Sequence, residues 1–257
     1  MKRILVVLLF FCTLSSVKAQ SFEYGDPLEV DKLLVENNLK KENMDAQDFN
    51  VAGMHFYDKK LWYEAEVMFL RAIELNRQHV LAYYNLACVL SIQFNDKTAK
   101  HSPILDYNKS SPFFYLYRAV RLDPNRMSRA RNDSDFTNIR NYDEQHFDAI
   151  TLPESQRPRY TYQVYFKESN SFEGDIKLVF VDGNGEEIWL AGGDKKLREL
   201  GFYSIPENAM PPYAIDNEEM KGKKFEIVIM YEPDNPSSLA GGYTLFKSIS
   251  LLSIREL

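Results

Sequence analysis

The hydrophobic period of this chain changes once, near residue 150, and that change limits what it can fold into. From about residue 27 to 148 apolar residues recur every three to four positions. From 156 to 257 they alternate. The first period buries one stripe of a helix, the second one face of a strand. Between them "TLPESQRPR" (151–159) places two prolines among polar residues, which interrupts any helix. Helices followed by strands predict an α+β fold in two domains, a helical array over 20–150 and a β domain over 151–257.

In the second half, "DIKLVFVD" puts Ile176, Leu178 and Phe180 on one face, and "KFEIVIMYE" does the same with Phe225, Ile227, Ile229 and Tyr231. Segments 159–167, 186–191 and 244–254 are three further strand candidates. "DGNG" (182–185) supplies residues that tolerate positive φ and reads as a hairpin turn. It is not an EF-hand loop, because Glu187 stands where that loop needs its glycine. Several short strands without helices between them predict an antiparallel β-sandwich.

The helical half carries an internal repeat. Phe49-x2-Ala52-Gly53-x2-Phe56 is followed by Ala65-x3-Phe69-x2-Ala72, and one repeat length later Tyr83-x2-Leu86-Ala87-x2-Leu90 returns. Over about residues 46–140 this pattern resembles the tetratricopeptide repeat (TPR) family. Small residues there let neighbouring helices pass closely, and bulky ones fill the remaining gaps. Gly53, Ala65 and Ala87 take the small positions, Phe56 and Phe69 the large ones. The charges at 64, 66, 71 and 74 form the outward face of the second helix. In the second repeat the late alanine is Ala119, which implies an inserted loop at about 94–112. Asp133 stands where it caps a short closing helix.

The resemblance implies a curved array whose first helices line a concave, partner-binding face. Its groove positions fall on Asn50, Met54, Tyr57, Leu81, Tyr84, Asn85, Cys88 and Ser91. Some family members clamp a terminal carboxylate with lysine and asparagine. Here Asn50 and Met54 occupy two of those places, so chaperone-tail binding is not expected.

Bulk properties narrow the function further. Lys2 and Arg3, the apolar run Ile4–Cys12 and "SVKA" read as a secretory signal peptide over 1–19, cut between Ala19 and Gln20. Glutamine after the cut resembles secreted proteins of Bacteroidetes-type bacteria. The expected location is therefore the periplasm or the exterior of a bacterial cell. Cleavage leaves 238 residues and takes the net charge from −6 to −9, since three cations go with the leader. An acidic chain is a poor nucleic-acid binder. Cys88 is then the only thiol, and no later apolar run reaches a membrane span.

Enzyme signatures are missing: there is no glycine-rich phosphate loop, G-x-S-x-G or H-E-x-x-H. The four histidines, at 55, 79, 101 and 146, lack metal-ligand spacing, and no cofactor is expected. Asp143 and His146 read as a solvated pair, and Cys88 as a buried, inert thiol. The expectation is a non-enzymatic adaptor or scaffold that binds a partner protein or peptide on the array, with the β domain as second contact surface. The alternative makes the β domain a binding module for glycan or peptide, with Trp189, Tyr203 and Tyr213 stacking on the ligand. A hydrolase gathering Asp194, Glu199 and Asp216 has the least support.

Overall fold

The computed structural model describes residues 27–257 apart from 103–104, 106–107, 109–110, 173–174, 192–196, 198, 206, 208–213 and 234–246. The leader read from the sequence, Tyr213 and Asp194 lie outside the described residues. No described helix is long and apolar enough to cross a membrane.

The chain is α+β. Its helical half runs α1 (Pro27–Glu36), α2 (Ala46–Asp58), α3 (Trp62–Leu75), α4 (Val80–Ile92), α5 (Ser111–Leu122), α6 (Arg126–Asn132), a 3-10 turn (Ser134–Phe136), α7 (Thr137–Tyr142) and α8 (Glu144–Thr151). Local chemistry sets the starts. The Asp45 carboxylate accepts from the Asp48 N–H at 2.9 Å, and the Asp48 carboxylate from the Asp45 N–H at 3.3 Å, a reciprocal cap. His79 Nδ1 accepts from the Ala82 N–H and opens α4.

Packing between α2 and α3 turns on Gly53. A methyl group there would stand 2.4 Å from Cε1 of the buried Phe69. Helix α4 is apolar on almost every side and is buried from Ala82 to Ser91 except at Asn85. It lies at the centre of a core that includes Phe56, Phe69, Leu86, Phe113, Phe136 and Phe147.

Glu66 corrects the sequence reading of α3. Placed on the outward face by its charge, it is 0% exposed. The residues after α4 fold back over it. The Ser102 N–H donates to Glu66 Oε1 at 2.5 Å, and His101 Nδ1 lies 2.9 Å from Oε2. Lys100 sits over the Tyr63 ring at 4.2 Å. A buried carboxylate needs such partners. His146 is a second correction. It is buried and stacked on Phe113, ring centres 4.4 Å apart, rather than solvated, while Asp143 caps α8 through the His146 N–H.

The β half contains β1 (Tyr160–Phe172), β2 (Asp175–Asp182), β3 (Glu187–Ala191), β4 (Tyr203–Ser204), β5 (Ile215–Asp216), β6 (Lys224–Pro233) and β7 (Lys247–Glu256). In place of two stacked sheets, the described residues form one antiparallel sheet, ordered β3-β2-β1-β6-β7, and the ribbon β4-β5. The sheet is strongly coiled. Its edge strands would stand about 19 Å apart if flat, yet Cα atoms of β3 and β7 approach within 8 Å. Register shifts in β1 at Phe166/Glu168 and in β6–β7 at Val228/Ile229 mark where it bends. The inner face holds Val164, Phe166, Leu178, Phe180, Phe225, Ile227 and Ile229, joined by Leu197, Phe202 and Met220 from the following segments. Asp182 accepts from the Asn184 and Glu186 N–H groups, with Gly185 at φ +85°, so "DGNG" is the β2–β3 hairpin turn.

Candidate functional site

Helices α2 and α4 lie side by side, and the eight residues expected to line a groove fall along their shared face. That face is divided in two. On one part of it, Asn85 Nδ2 donates to Asn50 Oδ1 at 3.0 Å. Met54, Leu81 and Asn85 are half-buried there, and Val51 beside them is exposed. Asn50 itself is buried, but its Nδ2 makes no hydrogen bond among the described residues.

Over Tyr57, Tyr84, Cys88 and Ser91 the chain covers the face itself. The 3-10 turn and its cap, Asp133 to Phe136, lie across both helices. Tyr84 donates its hydroxyl to Asp133 Oδ2 at 2.9 Å, and Tyr57 on α2 donates to Asp135 Oδ2. Phe136 meets the Tyr84 ring edge-on, centres 5.4 Å apart. One turn farther along, Asn138 donates to the backbone carbonyls of Ser91 and Ile92 and so caps α4. Tyr84, Cys88 and Ser91 are buried in consequence. They were expected to meet a partner and instead meet residues 133–138. Asp133 also caps the 3-10 turn through the Asp135 N–H at 3.1 Å, the role its position predicted.

Burial and the two aspartates act together on the donors. Removal from water, then Asp135, pushes the Tyr57 hydroxyl far above the usual phenol range. Burial, then the Cys88 thiol and Asp133, does the same to Tyr84. Burial first, and the negative potential of Asp133 and Asp135 second, raises the Cys88 thiol well above its ordinary value. The two phenols stay protonated and donate, and the thiol, held protonated as well, is a poor nucleophile here. Cys88, Asp133 and Asp135 place three ligand-type atoms within 4.8 Å of one another, which is close enough to share a cation. The phenols and the Asp135 N–H already take carboxylate lone pairs, so the same atoms serve as a hydrogen-bonded latch.

Two arginines border this site, and sequence reasoning passed over both. Arg126 and Arg129, one turn apart on α6, hold their guanidinium carbons 5.9 and 5.4 Å from the centre of the Tyr84 ring. The sign that would have found them is the run of arginines in "RMSRAR" (126–131) within an acidic chain.

On the sheet, Trp189 is exposed on the outer face, and its indole N–H donates to Glu187 at 3.0 Å. Tyr203, expected to stack on a ligand, is instead buried in the sheet core. Asp216 accepts from Ser169 and pairs with Lys221, while Glu199 is exposed. Compared with known protein families, curated proteins and solved structures, the chain matches none.

Proposed function

We propose that this chain is an exported, non-enzymatic interaction protein whose helical half is a short TPR-like array. It holds a segment of a partner protein along Asn50, Met54, Leu81 and Asn85, and the sheet domain offers a second surface. The observation that carries this reading is the division of the α2/α4 face. Half of it is closed by residues 133–138. The other half leaves thioether, leucine and amide groups half-exposed beside Val51. Apolar area with a few fixed amides suits a peptide backbone and its side chains. The titratable groups nearby are held protonated or paired, which suits a binding role.

The test is a photoreactive residue at Leu81 in the full chain, in cells, with the same label at the exposed Glu219 as control. A protein adduct at 81 that is absent at 219 supports the reading. Crosslinks from 81 to this chain alone would sink it.

Trp189 favours one further reading, glycan or peptide binding on the sheet. Its indole plane is fixed by Glu187, which in turn pairs with Lys167 at 2.6 Å. Retention on an immobilised polysaccharide that Trp189→Ala abolishes would move the function there.

A further inference from the structure

We propose that the segment held by the helical half is acidic, and that Arg129, with Arg126 beside it, receives its side-chain carboxylates. The inference rests on the reading above and names the chemistry of the partner.

The charge of the chain is uneven. Net charge is −6 overall, yet residues 118–140 hold six arginines against three aspartates, with no lysine or glutamate. Each of the five besides Arg129 is half-buried or bonded to an acceptor of the chain. Arg118 lies over the Tyr83 ring and Arg121 donates to the Tyr117 hydroxyl. Arg126 pairs with Asp123 at 3.0 Å and Arg131 with Asp148 at 2.5 Å. Arg140 donates to the carbonyls of Ala130, Arg131 and Asp133.

Arg129 differs. It is exposed, and among the described residues it makes no hydrogen bond or ion pair and has the Tyr84 ring as its one ring contact. No described carboxylate comes within 4 Å of it. Asp133 and Asp135 are near enough to act on the same tyrosine and thiol, but they accept from Tyr84, Tyr57 and the Asp135 N–H. Arg126 reaches the same ring, so two guanidiniums are gathered at one spot, with Asp123 paired to Arg126 and no carboxylate paired to Arg129 among the described residues. Like charges held together cost energy that an incoming anion relieves. The ring beneath is fixed through its hydroxyl by Asp133 and through its edge by Phe136. The next residue on α4, Asn85, belongs to the open amide pair. A peptide on that pair that continues toward α6 meets the cations, which can grip carboxylates through paired N–H donors.

The experiment is fluorescence anisotropy of the full chain with a labelled, C-terminally amidated glutamate-rich peptide, and with a lysine-rich peptide of the same length. The glutamate-rich peptide should bind, weaken as salt rises, and lose roughly tenfold or more in affinity in Arg129→Gln, further in Arg129→Glu. The lysine-rich peptide should not bind. Unchanged denaturant midpoints for both variants establish that they fold. Equal binding by wild type and variants, absence of acidic binding, preference for the lysine-rich peptide, or binding only with a free C-terminal carboxylate each overturn the proposal. Its failure is distinct from failure of the interaction reading. A crosslinked partner at Leu81 whose bound segment lacks carboxylates removes this proposal and leaves that reading standing.

Discussion

The hydroxyl of Tyr84 donates to Asp133 at 2.9 Å across 49 residues of sequence, joining the central helix to the turn that covers it. The bond spans the place where a second-repeat residue was expected to meet a partner, so the chain is its own occupant there.

Cutting that bond from its two ends should have unequal effects. Asp133→Ala leaves a buried phenol without an acceptor and the 3-10 turn without its cap, at about 1–3 kcal/mol. Tyr84→Phe should cost less, about 0.5–1.5 kcal/mol. The double variant should lose less than the sum, because the second change finds the bond already gone. Urea unfolding of the four proteins measures the coupling, and strict additivity would refute it.

Gly53→Ala should destabilise, although alanine in a helix ordinarily gains about 1 kcal/mol over glycine. The added methyl would stand 2.4 Å from the Phe69 ring, and overpacking costs about 1–3 kcal/mol. Phe69→Leu should recover part of the loss when added to Gly53→Ala. Denaturant midpoints decide the sign.

Glu66 should give the protein a distinctive pH dependence. Burial is the largest influence and raises its carboxyl pKa, with His101 and the Ser102 N–H acting in the opposite direction. A raised pKa in the folded state means a contribution fully present below the ordinary value of 4.5 and lost as pH climbs through the higher folded value. Glu66→Gln keeps an acceptor for Ser102 and removes the charge. Its stability profile should be flatter than wild type across that window; identical slopes would show that Glu66 does not titrate differently on folding.

Cys88 should resist a disulfide reagent at mildly alkaline pH in the native state and react fully in denaturant, because burial and two aspartates keep it a thiol. Paired Asp133→Ala and Asp135→Ala substitutions should speed native labelling by uncovering it. Rapid labelling of the wild type would mean that residues 133–136 do not cover the helix.

The elements were largely legible, and the way they close on one another was not. Gly53 facing Phe69 could be foreseen because the resemblance seen in the sequence sets a small residue against a large one on adjacent helices. The hairpin at 182–185 was visible in its own turn residues. Glu66 was misplaced because its partners lie 35 and 36 residues away in an irregular segment, which no period reports. Tyr84, Cys88 and Ser91 were expected on an open face, but a turn covers them, and although Asp133 could be read as a cap, its partner Tyr84 lies 49 residues away. Alternation likewise identified strands while leaving their coiling unstated, since bends arise from single-residue register shifts.

The coiling of the sheet bears on how such a chain survives at high local concentration. A flat five-stranded sheet offers two straight rows of unpaired backbone groups, each a template on which another molecule can polymerise. With Cα atoms of β3 and β7 approaching within 8 Å, those rows are bent toward one another. Residues Glu187, Arg255 and Glu256 add charge along them. Curvature here protects against fibril growth, so a substitution that straightened β1 at Phe166/Glu168 would be expected to reveal itself first as aggregation.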